Sequence, residues 1–148
     1  MLAYQWGNLA ISLKGKPTAR ESLLAGIASV ALEPENPYNW GTLAQIAEMH
    51  GEHIIASNCL ERAVNLDEGE DLLRELYIDS LLESRQLRRC ISEGKKARRA
   101  FPRRRALMEY IGLAYQELGN QKMAIRWFKC SEKGRGDSIL ESSSGASK

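Results

Sequence analysis

Residues 37–70 read PYNWGTLAQIAEMHGEHIIASNCLERAVNLDEGE, and residue spacing alone draws two helices through them. Trp40, Leu43, Ala44 and Ala47 recur at helical intervals, and after an interruption at Gly51 so do Ala56, Leu60, Ala63 and Val64. Each set puts its apolar residues on one stripe of a helix with a period of about 3.6 residues. Asn36-Pro37 supplies an N-cap side chain and then the residue best tolerated at a first helical position. Gly51 supplies a stop, because it can take the left-handed conformation that closes a helix. The stretch predicts a pair of amphipathic helices joined by a tight turn.

The same plan recurs on both sides in steps of 34 residues. Trp6 precedes Trp40 by 34, and first residues Ala3, Pro37, Asp71 and Arg105 mark blocks 3–36, 37–70, 71–104 and 105–138 with no insertion. The seventh residues (Leu9, Leu43, Tyr77, Ile111) are all apolar, as are the eleventh (Leu13, Ala47, Leu81, Tyr115). The twentieth residues (Ser22, Ala56, Cys90, Ala124) are all small, as are the twenty-seventh (Ser29, Ala63, Ala97, Ser131). A small side chain is required where two helices cross closely, since a large one would hold the backbones apart. The capping-box spacing Thr18-x-x-Glu21, the turn Gly119-Asn120 and the breaks at Pro34 and Pro102 fall at the expected helix ends.

Trp40-x-x-Leu43-Ala44, Gly51, Ala56, Leu60 and Ala63 resemble a tetratricopeptide repeat, and Ile111-Gly112-x-x-Tyr115, Gly119, Ala124, Phe128 and Ser131 resemble it again. The likeness covers residues 3–138. It implies an all-α fold, a right-handed superhelical array of antiparallel helix pairs. The residues that follow, 139–148, read from their composition as a flexible Ser-rich tail. Blocks one and three depart from the pattern, with Gly26 where a large apolar residue is usual, Arg74 for the tryptophan and Gly94 for the aromatic. Weaker packing is expected there.

At 148 residues the chain is the size of one domain and could bury about two-thirds of its unfolded surface. No apolar run is long enough to span a bilayer. Three cysteines at positions 59, 90 and 130 fit neither a disulfide framework nor a metal knuckle and read as free thiols. With no secretory pattern at the N-terminus, a cytoplasmic location is expected. His50 and His53 flank the Gly51 turn without a third ligand, so no metal site is expected, and they read as solvated turn residues. No nucleophile–base arrangement or phosphate loop can be assembled, Gly134-Arg-Gly136 lying at a helix end. The expectation is a protein that is not an enzyme and has no cofactor.

Charge is strongly polarised. Residues 61–83 carry eight acids against Arg62 and Arg74, whereas residues 85–105 carry ten bases against Glu93. The resemblance implies that the first helix of each pair lines a concave groove. The lining then includes Tyr4, Gly7, Asn8, Ile11, Lys14 and Gly15 from block one, and Tyr38, Thr42, Gln45, Glu48 and Met49 from block two. Blocks three and four add Leu72, Glu75, Leu76, Asp79, Glu83, Glu109, Tyr110 and Glu117. Gly7, Ile11, Thr42, Leu72 and Leu76 stand where repeats that clamp acidic chaperone tails carry Lys, Asn and Arg, so such a clamp is not expected. An acidic groove with tyrosines and leucines suits a basic, partly apolar peptide or helix.

The basic stretch, with Arg88, Arg89, Lys95, Arg98, Arg99, Arg103, Arg104 and Arg105, is an alternative contact surface for nucleic acid or another anionic partner. A secretion-type chaperone for an apolar client is a second alternative. Ile125 and Phe128 in the last block lack a following helix to cover them, which predicts self-association. The reading as a whole is a noncatalytic protein-binding scaffold, its partner basic.

Overall fold

The structure, a computed structural model, describes residues 18–144. The first helix expected for block one, with its share of the groove, lies outside the described residues. Seven helices follow one another: α1 (Ala19–Leu32), α2 (Pro37–Met49), α3 (His53–Leu66), α4 (Asp71–Glu83), α5 (Leu87–Ala100), α6 (Arg105–Glu117) and α7 (Gln121–Ser144). The starts of α2, α4 and α6 are the block starts read from sequence, and α1, α3, α5 and α7 also begin 34 residues apart. No strand occurs among the described residues, and none of their helices is long and apolar enough to cross a membrane.

Side-chain capping accounts for the starts of α1 and α2. Thr18 and Glu21 form the reciprocal capping box ahead of α1, and the Asn36 side chain accepts from the Tyr38 N–H at 3.0 Å ahead of α2. At the stops, Gly51 and Gly119 adopt φ of 75° and 84°. Beyond α2 the Glu52 N–H reaches the Ala47 carbonyl and the Gly51 N–H that of Glu48. Beyond α6 the Asn120 and Gly119 N–H groups repeat the pattern on Tyr115 and Gln116, so both ends are Schellman closures. The third turn has the same conformation without glycine: Arg85 sits at φ 64°. Positions 51, 85 and 119 are thus one turn repeated every 34 residues.

The chain divides into two compact units, one ending at Ser84 and the other beginning at Arg85. In the first, α1 packs on α2, α2 on α3 and α3 on α4; in the second, α5 packs on α6 and α6 on α7. Every described member of the small columns is buried: Ser22, Ala56, Cys90 and Ala124 are at most 3% exposed, and Ser29, Ala63, Ala97 and Ser131 at most 4%. Leu43, Ala47, Tyr77, Leu81 and Ile111 are buried beside them, whereas Tyr115 is half-buried.

Gly26 corrects one expectation. It is buried, and a Cβ there would lie 2.8 Å from Leu43 Cδ1 and 3.1 Å from Ile46 Cδ1. The missing side chain marks a close approach of α1 to α2 rather than a gap. Gly112 is tighter, with an added Cβ 2.5 Å from Phe128 Cε1. Phe128 is accordingly half-buried rather than left uncovered, while Ile125 stays 50% exposed. At the far end, α7 continues through Ser144, so Gly134 and Gly136 lie within it and residues 139–144 are helical instead of tail. Residues 145–148 lie outside the described residues.

Candidate functional site

Within the first unit, α2 and α4 flank a cavity of about 480 Å³, lined by Ala44, Gln45, Glu48, Met49, Leu60, Leu76, Asp79, Ser80 and Glu83. Leu60 comes from α3. The chemistry is two-sided: Ala44, Met49, Leu60 and Leu76 are apolar, three lining residues are carboxylates, and among the described residues no lysine or arginine lines the space.

The carboxylates are held in different ways. Glu48 is pinned from two helices, since Ser80 Oγ donates to its Oε1 at 2.9 Å and His53 Nδ1 lies 2.6 Å from its Oε2. His53 is therefore a partner of Glu48, not a purely solvated turn residue. The pair is an ion pair when His53 is protonated. Asp79 instead carries an electrostatic cost. Burial, followed by the charges of Glu83, Glu48 and Glu75, raises its carboxyl above the usual aspartate range. Glu75, Asp79 and Glu83 share one face of α4 by their spacing of four, and Glu48 adds a fourth charge from α2.

Of the groove residues expected from sequence, Gln45, Glu48, Leu76, Asp79 and Glu83 line this cavity, as does Met49. Tyr38, Leu72 and Glu75 lie on the same two helices outside its lining. Tyr38 is exposed at the start of α2 and donates its hydroxyl to Glu70 Oε2 at 3.1 Å, and that hydrogen bond and charge raise its pKa. Sequence reasoning missed Ser80 and Leu60. A serine among the apolar residues of α4 was the available signal for the first. Leu60 was hidden because groove positions were drawn from first helices alone.

Glu109, Tyr110 and Glu117 lie on α6, in the second unit. There the acids are countered: Glu117 Oε2 meets Arg85 Nη1 at 2.7 Å, and Glu109 Oε1 lies 3.7 Å from Arg105 Nε. The basic stretch is also partly occupied with its own unit. Lys95 Nζ is 3.0 Å from the Tyr115 hydroxyl, and the Arg98 guanidinium sits 5.4 Å from the centre of the Trp127 ring. Arg89 reaches Gln86 Oε1 at 2.6 Å. Because α5 buries only Cys90, Gly94 and Ala97, the stems and charges of Lys95 and Arg98 supply contact that larger apolar residues would otherwise give. Arg88, Arg99 and Arg103 are exposed, and Arg104 half-buried.

The family described as tetratricopeptide repeat matches residues 3–143. The chain belongs to that family. In tetratricopeptide terms α2 and α4 are the first helices of repeats two and three, so the cavity lies between equivalent elements of successive repeats. Among solved structures, a crystal structure of MamA superposes with a TM-score of 0.77 at 17% identity, over 93% of this chain and 80% of that one. MamA from Desulfovibrio magneticus RS-1, residues 41 to its end, gives 0.76 at 14% identity over 91% and 76%. YrrB, described as a tetratricopeptide protein with an unusual peptide-binding site, gives 0.77 at 18% identity over 93% and 70%. These likenesses establish an all-α tetratricopeptide array. Comparison with curated proteins gives no match.

Proposed function

We propose that the chain is a noncatalytic protein-binding scaffold whose cavity between α2 and α4 takes a basic, partly apolar peptide or helix. The observation that carries this reading is Asp79, a half-buried carboxylate that feels the charges of Glu83, Glu48 and Glu75 and lines a cavity to which the described residues contribute no lysine or arginine. Such an arrangement costs stability in the free protein, and a cationic ligand would remove the cost by neutralising the cluster. Apolar lining beside the acids favours a ligand that alternates cationic and aliphatic side chains. YrrB, with its unusual peptide-binding site, adds support from the same fold.

The alternative contact surface, the basic stretch, has less to offer a nucleic acid or other anion. Lys95 and Arg98 are engaged with Tyr115 and Trp127, and Arg85 and Arg105 with carboxylates. Titration of a labelled peptide of alternating lysine and leucine, followed by anisotropy, tests the proposal. Binding should weaken steeply with salt, and a glutamate–leucine peptide should not bind. Equal binding of the two peptides would reject a charge-selected ligand.

A further inference from the structure

The second unit carries a surface complementary to the cavity of the first. On α7, Lys122, Met123, Ile125, Arg126 and Lys129 border a depression of about 370 Å³. Lys122, Arg126 and Lys129 follow one another at spacings of four and three, which places them on a single stripe of the helix. Residues 121–131 contain no acid. Ile125, half exposed, lies at one edge of the stripe, and Met123 at the other. The face is thus a basic helix with aliphatic edges, the ligand chemistry that Glu48, Asp79 and Glu83 around Met49, Leu60 and Leu76 would select.

We infer that the occupant of the acidic cavity is a second copy of this chain, docked through the Lys122–Lys129 face of its α7. The inference rests on the reading of the cavity as a binding site. Three cations against three carboxylates, with Ile125 and Met123 against the apolar lining, give complementarity in charge and in hydrophobicity together. Because the two surfaces differ, the contact is heterologous: a copy that fills its neighbour's cavity still offers its own. Association is therefore head-to-tail, growing until the assembly closes on itself, and average mass rises with concentration. It also covers Ile125, which the fold leaves exposed.

A charge-swap experiment on the full chain tests this by sedimentation velocity at low ionic strength. One variant carries Asp79→Lys and Glu83→Lys, the other Lys122→Glu and Arg126→Glu, with circular dichroism to verify helicity. Wild type should grow in mass with concentration and return to monomer in about 0.5 M salt, where screening is strong. Each variant alone should associate at least tenfold more weakly, and an equimolar mixture should regain association, since the unaltered α7 of the first fits the unaltered cavity of the second. A monomeric wild type at about 200 µM, roughly 5 kcal/mol in binding terms, overturns the inference. So does a variant that associates as wild type does, or a mixture that stays monomeric. The lysine–leucine peptide separates the two levels: salt-sensitive peptide binding without self-association leaves the cavity reading intact, and failure of both removes both.

Discussion

Ser80 Oγ donates to Glu48 Oε1 at 2.9 Å, tying α4 to α2 beside the acidic cavity. The two residues are 32 apart in sequence, close to one repeat, so the bond joins successive repeats. Ser80 is 2% exposed, while the Glu48 side chain keeps 31% of its exposure, so water can replace the lost donor on the glutamate side. Ser80→Ala should therefore cost about 0.5–1.5 kcal/mol in urea denaturation, less than the roughly 1.5–3 kcal/mol usual for a hydrogen bond to a charged group. No measurable change would mean that the bond does not hold the helices.

Asp79 gives a pH dependence with a definite sign. Its folded-state pKa is raised, so between the unfolded value and the folded value the native state holds more protons. This group's contribution to stability is then greatest in acid and is lost as pH rises through the raised value. Asp79→Asn should stabilise the protein at neutral pH, flatten that part of the profile and weaken binding of a cationic peptide. Stability gained with affinity lost identifies a cost kept for function; unchanged stability at pH 7 would contradict the electrostatic account.

Arg85 occupies the left-handed position that Gly51 and Gly119 fill in the neighbouring turns. Its ion pair with Glu117 is between side chains 63% and 48% exposed and so adds little. Comparing Arg85→Ala with Arg85→Gly isolates the backbone term, and glycine should be favoured by about 1 kcal/mol in thermal or urea melts. Equal stabilities would mean that the turn relaxes out of the left-handed region.

The two tight glycines should separate. At Gly112 an added methyl meets three atoms of the Phe128 ring, at 2.5, 2.7 and 3.1 Å, so Gly112→Ala should destabilise by about 1–3 kcal/mol despite its helix propensity. At Gly26 the obstacle is the ends of Leu43 and Ile46, which can shift, and the propensity gain of about 1 kcal/mol roughly offsets the cost. Calorimetric melting of both variants checks the order; a larger loss at Gly26 would reverse it.

Cysteine reactivity reports on the small columns. Cys59 and Cys90 are buried and Cys130 exposed, and burial pushes the Cys59 thiol up to about 11. Alkylation near pH 8 should label Cys130 rapidly and the other two only on unfolding. Rapid labelling at Cys90 would show that the close helix contact it fills is open.

The fold was legible because the sequence repeats its constraints. Leu43, Tyr77 and Ile111, or Ala63, Ala97 and Ser131, each answer the same packing need at the same place, so one exception such as Arg74 does not obscure the plan. Contact between elements was not legible. Nothing in the spacing of Gly26 says that Leu43 is already in its place, and Arg85 does not announce the conformation that Gly51 and Gly119 do. In the site, the acidic row on α4 followed from a spacing of four, but the Ser80 and His53 bonds to Glu48 depend on how helices pack. The basic stretch looked like one free surface because a sequence cannot show that Lys95 and Arg98 lie against Tyr115 and Trp127.

The most direct test of an acidic cavity that binds a basic partner is calorimetric titration of the lysine–leucine peptide into three proteins. These are wild type, the Asp79→Lys/Glu83→Lys variant and an Arg88→Glu/Arg99→Glu variant. The account predicts that the acidic reversal weakens binding tenfold or more, at least about 1.4 kcal/mol, while the arginine reversal leaves affinity within about twofold. Binding that survives loss of the cavity acids and depends on the α5 arginines would contradict it.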